Sequence, residues 1–178
     1  VARVAMIIAP DQFRDEEYAE PKAVFERRGH ETVTLSVAPG PCRGKLGMMA
    51  RADTALRDAN ADDFDAVVFV GGGGSSVFFD DPDAHEIARS ALAAGKVVGA
   101  ICIAPSTLAR AGMLEGKRAT CFPTQEGDLA QHGATYTGEP VEVSGNIVTA
   151  SGPEAATDFG NRIADLLDAQ TTGQGDNT

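Results

Sequence analysis

Apolar residues along this chain come in short blocks, separated by polar stretches with helical spacing. The block Val4–Ala9 is a near-continuous apolar run, the pattern of a strand covered on both faces. Ala66–Val70 and Val97–Ile101 read the same way. Thr32–Val37 is β-branched and alternating, which also predicts a strand. Helix patterns lie between them. Asp15 offers an N-cap for a short turn, and Pro21 opens a helix to Arg28 that Gly29 stops. Pro82–Ala94 sets Ile87, Ala91 and Leu92 on one face. Pro105–Ala111 predicts a short helix with Gly112 after it. In Pro153–Asp168, the residues Phe159, Ile163, Leu166 and Leu167 share a face. Pro39–Gly47 reads as loop and Met48–Ala52 as a short strand or hairpin. Arg118–Thr120, Val141–Val143 and Ile147–Ala150 read as short strands. Thr171–Thr178 is polar and carries no core signal, so loose packing or disorder is expected there.

Strands alternating with helices predict an α/β fold, a parallel sheet sandwiched between helices. The length, 178 residues, fits a single domain over 1–170 with a polar tail at 171–178. In such a sheet chemistry gathers at the carboxyl ends of the strands. Three places stand out: the turn after Ala9, the run Gly71–Gly74, and the junction after Ile101. Composition narrows the class. Fifteen Lys and Arg against 26 Asp and Glu give a net charge of −11. That field opposes nucleic acid and anionic membrane as partners. A hydrophobic fraction of 43% is too high for disorder. No apolar run reaches the roughly 18 residues of a membrane span. Together these predict a soluble, cytoplasmic protein. Cys42, Cys102 and Cys121 are odd in number and share no CxxC spacing, which argues against a disulfide framework and a zinc site.

The junction after Ile101 is the sharpest feature. A β-branched strand stops at Cys102 and a helix starts by Pro105, so the chain must bend tightly. Small residues, Ala100 and Ala104, stand two before and two after the cysteine, the steric logic of a nucleophile elbow. A helix N-terminus aimed at the sulfur favours thiolate over thiol. The alternative is a buried, inert thiol filling a core gap. Gly71–Gly74 lacks the Lys-Ser/Thr ending of a phosphate loop and the third Gly of the dinucleotide fingerprint, where Ser76 stands. Its glycines are better suited to baring backbone N–H groups, as an oxyanion hole requires. The acidic turn Asp15-Glu16-Glu17 gains a role only if one carboxyl turns inward to the sulfur, where its pKa rises. His30, His85 and His132 have no metal-ligand spacing. Of these, His132 sits where a loop could fold over a site.

These pieces resemble the ThiJ/PfpI superfamily, which includes the parkinsonism-associated deglycase, PfpI-type intracellular proteases and bacterial stress chaperones. The likeness runs from about Val4 to Leu167. It is carried by AMIIAPDQFRDEEYAEP, DAVVFVGGGG, GKVVGAICIAP, AGMLEGKRAT and TASGPEAATDFG. The resemblance implies a flavodoxin-like three-layer sandwich with a cysteine at the elbow, here Cys102. It implies a protonated glutamate hydrogen-bonded to the thiolate, here Glu17. It maps the oxyanion-binding backbone to Gly73 and Ile103, with Gly72 beside them. The chain departs from the family in three places. Ile103 follows the cysteine where PfpI-type proteases carry His, which removes the main support for proteolysis. Phe122 precedes Pro123 where deglycase- and glyoxalase-like members carry His. Ser151 stands where an Arg is often found. Another group must then move protons: Glu17 itself, a water, or His132. Cys121 reads as a core residue.

The resemblance implies a small cysteine-dependent enzyme acting on a reactive carbonyl, such as a 2-oxoaldehyde, by glyoxalase- or deglycase-like chemistry, without cofactor or metal. A redox-sensing or stress-protective protein using the same oxidisable cysteine is the alternative. A hydrolase or hydratase of amides, imides or isonitriles is a third. Superfamily members form dimers or larger rings, so a homodimer or higher homo-oligomer is expected.

Overall fold

The structure, a computed structural model, describes residues 1–175. Seven strands form the central sheet. They are β1 (Arg3–Ile7), β3 (Glu31–Ser36), β6 (Thr54–Ala55), β7 (Ala66–Phe69), β8 (Val97–Ile101), β11 (Val141–Ser144) and β12 (Ile147–Ala150). Their order across the sheet is β11-β12-β8-β7-β1-β3-β6. Every pairing is parallel except β11 with β12, which is antiparallel. β7, β8 and all of β1 beyond the exposed Arg3 are buried, which explains the continuous apolar runs, since both faces of a covered parallel strand need apolar side chains.

Alternate residues of these strands feed two cores. On one face Ala5, Ile7, Val67, Phe69, Val98 and Ala100 pack under α2 (Pro82–Ala93), α3 (Pro105–Arg110) and α4 (Glu126–Gln131), through Ile87, Leu108 and Leu129 among others. On the other, Val4, Met6, Ile8, Val68, Val97 and Ile101 pack under α1 (Asp15–Arg27) and α5 (Ala156–Gly175), through Phe25, Phe159, Ile163 and Leu167. Helices therefore cover both faces of a mostly parallel sheet, a flavodoxin-like sandwich.

Four local expectations change. The helix predicted to open at Pro21 already runs from Asp15, with Pro21 inside it. Proline cannot donate to the carbonyl four residues back, so one bond is missing in the middle of this 13-residue helix. Asp15 is not the N-cap; Arg14 holds that place without a side-chain cap. The Asp15 carboxylate instead accepts from the backbone N–H groups of Leu46 (3.1 Å) and Met48 (3.0 Å). The stretch read as loop from Pro39 contains β4 (Gly40–Gly44), which pairs antiparallel with β5 (Met49–Ala52) and parallel with β2 (Asp11–Phe13). The short strand expected at Arg118–Thr120 is present as β9 (Arg118–Ala119) and pairs with β10 (Thr135–Tyr136) outside the central sheet. As for the stretch read as a tail, α5 continues to Gly175; residues 176–178 lie outside the described residues.

Candidate active site

The strand β8 ends at Ile101, and Cys102 takes φ +65°. Among the described residues only Cys102 and Gln12 (φ +59°) enter the left-handed region without being glycine. L-residues with side chains rarely hold that conformation unless the surroundings impose it. Here the Cys102 N–H donates to the Ala150 carbonyl (2.9 Å), and its own carbonyl accepts from Phe122 N–H (2.8 Å). The residue is thus clamped on both sides while its half-buried side chain turns away from the line of the strand. Ala100 and Ala104 are buried small residues flanking the bend, as the elbow pattern requires.

The other two strand ends converge on the same sulfur. After β7, Gly71 leaves no room for a side chain: a Cβ there would lie 2.4 Å from the Glu17 carboxyl and 2.6 Å from Cys102 Cβ. Gly72 follows with φ +101°, and its N–H, like that of Ile103, is directed at the Cys102 sulfur. After β1, the chain passes through β2 into α1. Arg14 N–H donates to the Gly71 carbonyl (2.9 Å) and locks the two turns together. Three residues later Glu17 points inward and is fully buried. Its polar neighbours are the Cys102 side chain and the Gly71 backbone. Neither carboxyl oxygen has a hydrogen-bond partner of ordinary geometry.

A buried carboxyl without such partners resists ionisation. Burial pushes the Glu17 pKa up from 4.5 to about 8. Burial also pushes the Cys102 thiol up, and a charged Glu17 adds to that, to about 12; the Gly72 and Ile103 N–H groups pull the other way. This corrects the expectation of a thiol lowered by the helix N-terminus, because desolvation outweighs the two N–H groups. The Glu17 carboxyl is mostly protonated at neutral pH. The pair therefore loses its first proton near pH 8, and the remaining proton is shared between sulfur and carboxyl.

Of the residues singled out in the sequence, Cys102, Glu17, Gly72 and Ile103 come together. Gly73 is exposed and opens the short turn Gly73–Phe78 directly after Gly72. His132 is held elsewhere. Its Nδ1 meets the Asp128 carbonyl (2.8 Å), and it lines a cavity of about 290 Å³ with Asp80, Arg110, Asp128 and Gln131. Phe122 is 40% exposed and close to Gly152, so an aromatic face occupies the position of the family histidine. Cys121 is wholly buried in the core beneath α3 and α4. Among the described residues, no cluster of three His, Cys, Asp or Glu side chains could hold a metal ion. No helix in them is long and apolar enough to cross a membrane.

Sequence reasoning missed Gln12 and Arg14. Arg14 lies inside the FRDEEY segment, but nothing in residue type alone separates it from a solvated surface arginine. Its guanidinium bonds Glu16 through Nε (2.7 Å) and Nη2 (3.2 Å). It acts electrostatically on both Glu17 and Cys102.

A parallel sheet with helices on both faces and a cysteine at a strand-to-helix elbow defines a class of α/β proteins built around one thiol. Residues 2–166 match the model of the DJ-1/PfpI family, and the chain belongs to that family. An uncharacterised protein of Methanocaldococcus jannaschii is 41% identical over 94% of this chain and 83% of its own. A deglycase of Pyrococcus abyssi is 34% identical over 83% of this chain and 89% of its own. The crystal structure of a ThiJ/PfpI domain protein from Brachyspira murdochii superposes with a TM-score of 0.92 at 36% identity, covering 94% of this chain and 96% of that one.

Proposed function

We propose that this protein is a cysteine-dependent enzyme acting on small reactive carbonyl compounds, with a 2-oxoaldehyde as substrate and a 2-hydroxy acid as product. The observation that carries the reading is the placement of a fully buried carboxyl, Glu17, against the side chain of Cys102 at the elbow. The deglycase name of a relative that covers most of the chain supports an enzymatic role.

The chemistry follows from the proton inventory. The Cys102 sulfur bonds to the aldehyde carbon as the thiol proton leaves through Glu17 to the carbonyl oxygen, giving a hemithioacetal. The N–H groups of Gly72 and Ile103 stabilise negative charge at the reacting centre. Glu17 in its ionised form then removes the proton from the former aldehyde carbon and returns it to the neighbouring carbon, while the hydroxyl proton of the hemithioacetal moves to the oxygen of that neighbouring carbon. The product of that shift is a thioester of the 2-hydroxy acid. Water hydrolyses it, releasing the acid and restoring the thiol. The net change is addition of one water. A carboxyl titrating near 8 suits this work, because it gives and takes protons close to neutral pH.

With Phe122 and Ile103 in the two histidine positions, Glu17 is the titrating side chain at the sulfur that this scheme uses. Cys102→Ser is expected to abolish lactate formation from methylglyoxal while circular dichroism shows an intact fold. Lactate formation by that variant at the wild-type rate would remove the proposal.

A further inference from the structure

The proposed reaction leaves the far end of the substrate undescribed, and the turn between β1 and α1 offers a group to meet it. Arg14 stands beside Gly71 and Gly72, the turn that flanks Cys102. Its backbone N–H is bonded to Gly71, and a Cβ on the adjoining Gly72 would lie 2.4 Å from that nitrogen. Its side chain is about a quarter exposed (27%). Glu16 grips Nε and Nη2 and so fixes the plane of the guanidinium. A guanidinium has five N–H donors. The two bonds to Glu16 leave Nη1 unused, in an orientation already chosen. A planar fork with free donors matches a carboxylate better than any neutral group. The same cation acts electrostatically on Cys102 and Glu17, and its backbone is bonded to Gly71, whose missing side chain would touch both Cys102 and Glu17. Beside it, Gln12 is held at φ +59°, and its side-chain oxygen reaches toward Gly73.

We propose that Arg14, pinned by Glu16 beside the turn that flanks Cys102, recognises a carboxylate on the substrate. The substrate is then an anionic carbonyl compound, a 2-oxoaldehyde carrying a terminal carboxylate. Position 151, after β12, is a serine, and the cation stands instead after β1, on the other side of Cys102. The proposal rests on the reading of Cys102 as the reacting thiol, and its test separates the two.

The test uses a matched pair of alkylating agents, anionic iodoacetate and neutral iodoacetamide, with labelling of the Cys102 peptide followed by mass spectrometry. The readout is the ratio of the two rates, which cancels changes in thiol reactivity. Arg14→Gln is expected to lower the iodoacetate-to-iodoacetamide ratio about fivefold. Arg14→Lys is expected to restore most of it, and Arg57→Gln, with the same change in net charge, to leave it at the wild-type value. A ratio unchanged within twofold in Arg14→Gln, or lowered equally in Arg57→Gln, overturns the proposal. A second arm compares turnover of 4,5-dioxopentanoate with that of methylglyoxal. The wild type is expected to favour the anionic compound in kcat/KM, with the preference lost through KM in Arg14→Gln; equal preference in the two proteins overturns the proposal. If neither compound is turned over, the reaction scheme falls, and the alkylation ratio still decides the anion site.

Discussion

Glu17 is a fully buried carboxyl whose burial carries a pH dependence. Its folded-state pKa, about 8, lies above its ordinary 4.5. Between these values the folded state holds a proton that the unfolded chain has released. Its contribution to stability is therefore fully present below about pH 4.5 and is lost as pH rises to about 8, by an amount on the order of a few kcal/mol. Glu17→Gln cannot ionise, so denaturant unfolding should show the variant gaining on the wild type across that window and level with it at the acid end. A difference that stays flat with pH would mean that Glu17 is ionised in the fold. Gly71 belongs to the same scale. Gly71→Ala puts a methyl group against the Glu17 carboxyl, Cys102 Cβ and the Ile101 carbonyl at 2.4 to 2.7 Å. Overpacking of this kind costs about 1–3 kcal/mol. The variant should melt lower and lose methylglyoxal turnover by more than its loss of folded protein accounts for. Cys102 stood out in the sequence because an elbow needs small neighbours, whereas Glu17 was singled out from its acidic turn only by the family resemblance. The high thiol pKa was not legible, since it depends on how deeply the side chains are buried.

At the scale of elements, the hairpin of β4 and β5 is tied to the start of α1 by Asp15. Its carboxylate accepts from two backbone N–H groups in the hairpin turn. It fills the space a Cβ on Gly44 would take. Met48 and Ala50 from the same hairpin pack against the core that Cys102 borders. Asp15→Ala leaves two donors without their acceptor, a loss of about 1–3 kcal/mol. Amide hydrogen exchange should quicken at Leu46 and Met48 while the amides of β1 and β8 keep their protection. Uniform quickening would mean that Asp15 supports the whole fold instead of this hairpin. The long buried strands and the amphipathic α2 and α5 were readable from periodicity alone. The hairpin was not, because Gly and Pro in Pro39–Gly47 read as loop and its partner β2 has only three residues. Nor did periodicity reveal that α1 begins six residues before Pro21. The helix tolerates an interior proline, which lies against Gly160 of α5.

On the scale of the whole molecule, the sheet order places β1, β7 and β8 side by side. Their carboxyl ends deliver Glu17, Gly72 and Cys102 from positions far apart in the chain. The alternation of strands and helices predicts such a convergence, and the closing of the β1 and β7 turns through Arg14 and Gly71 supplies its precision. Because the two titrating groups share a proton, the rate at which Cys102 is alkylated should follow the titration of the pair. The direct measurement is the pH dependence of iodoacetamide labelling at Cys102 in the wild type and in Glu17→Gln. The wild-type rate should rise through an inflection near pH 8, and that inflection should vanish in the variant. Superimposable profiles would show a thiol that titrates without regard to its carboxyl neighbour, and the coupled pair proposed for catalysis would be gone.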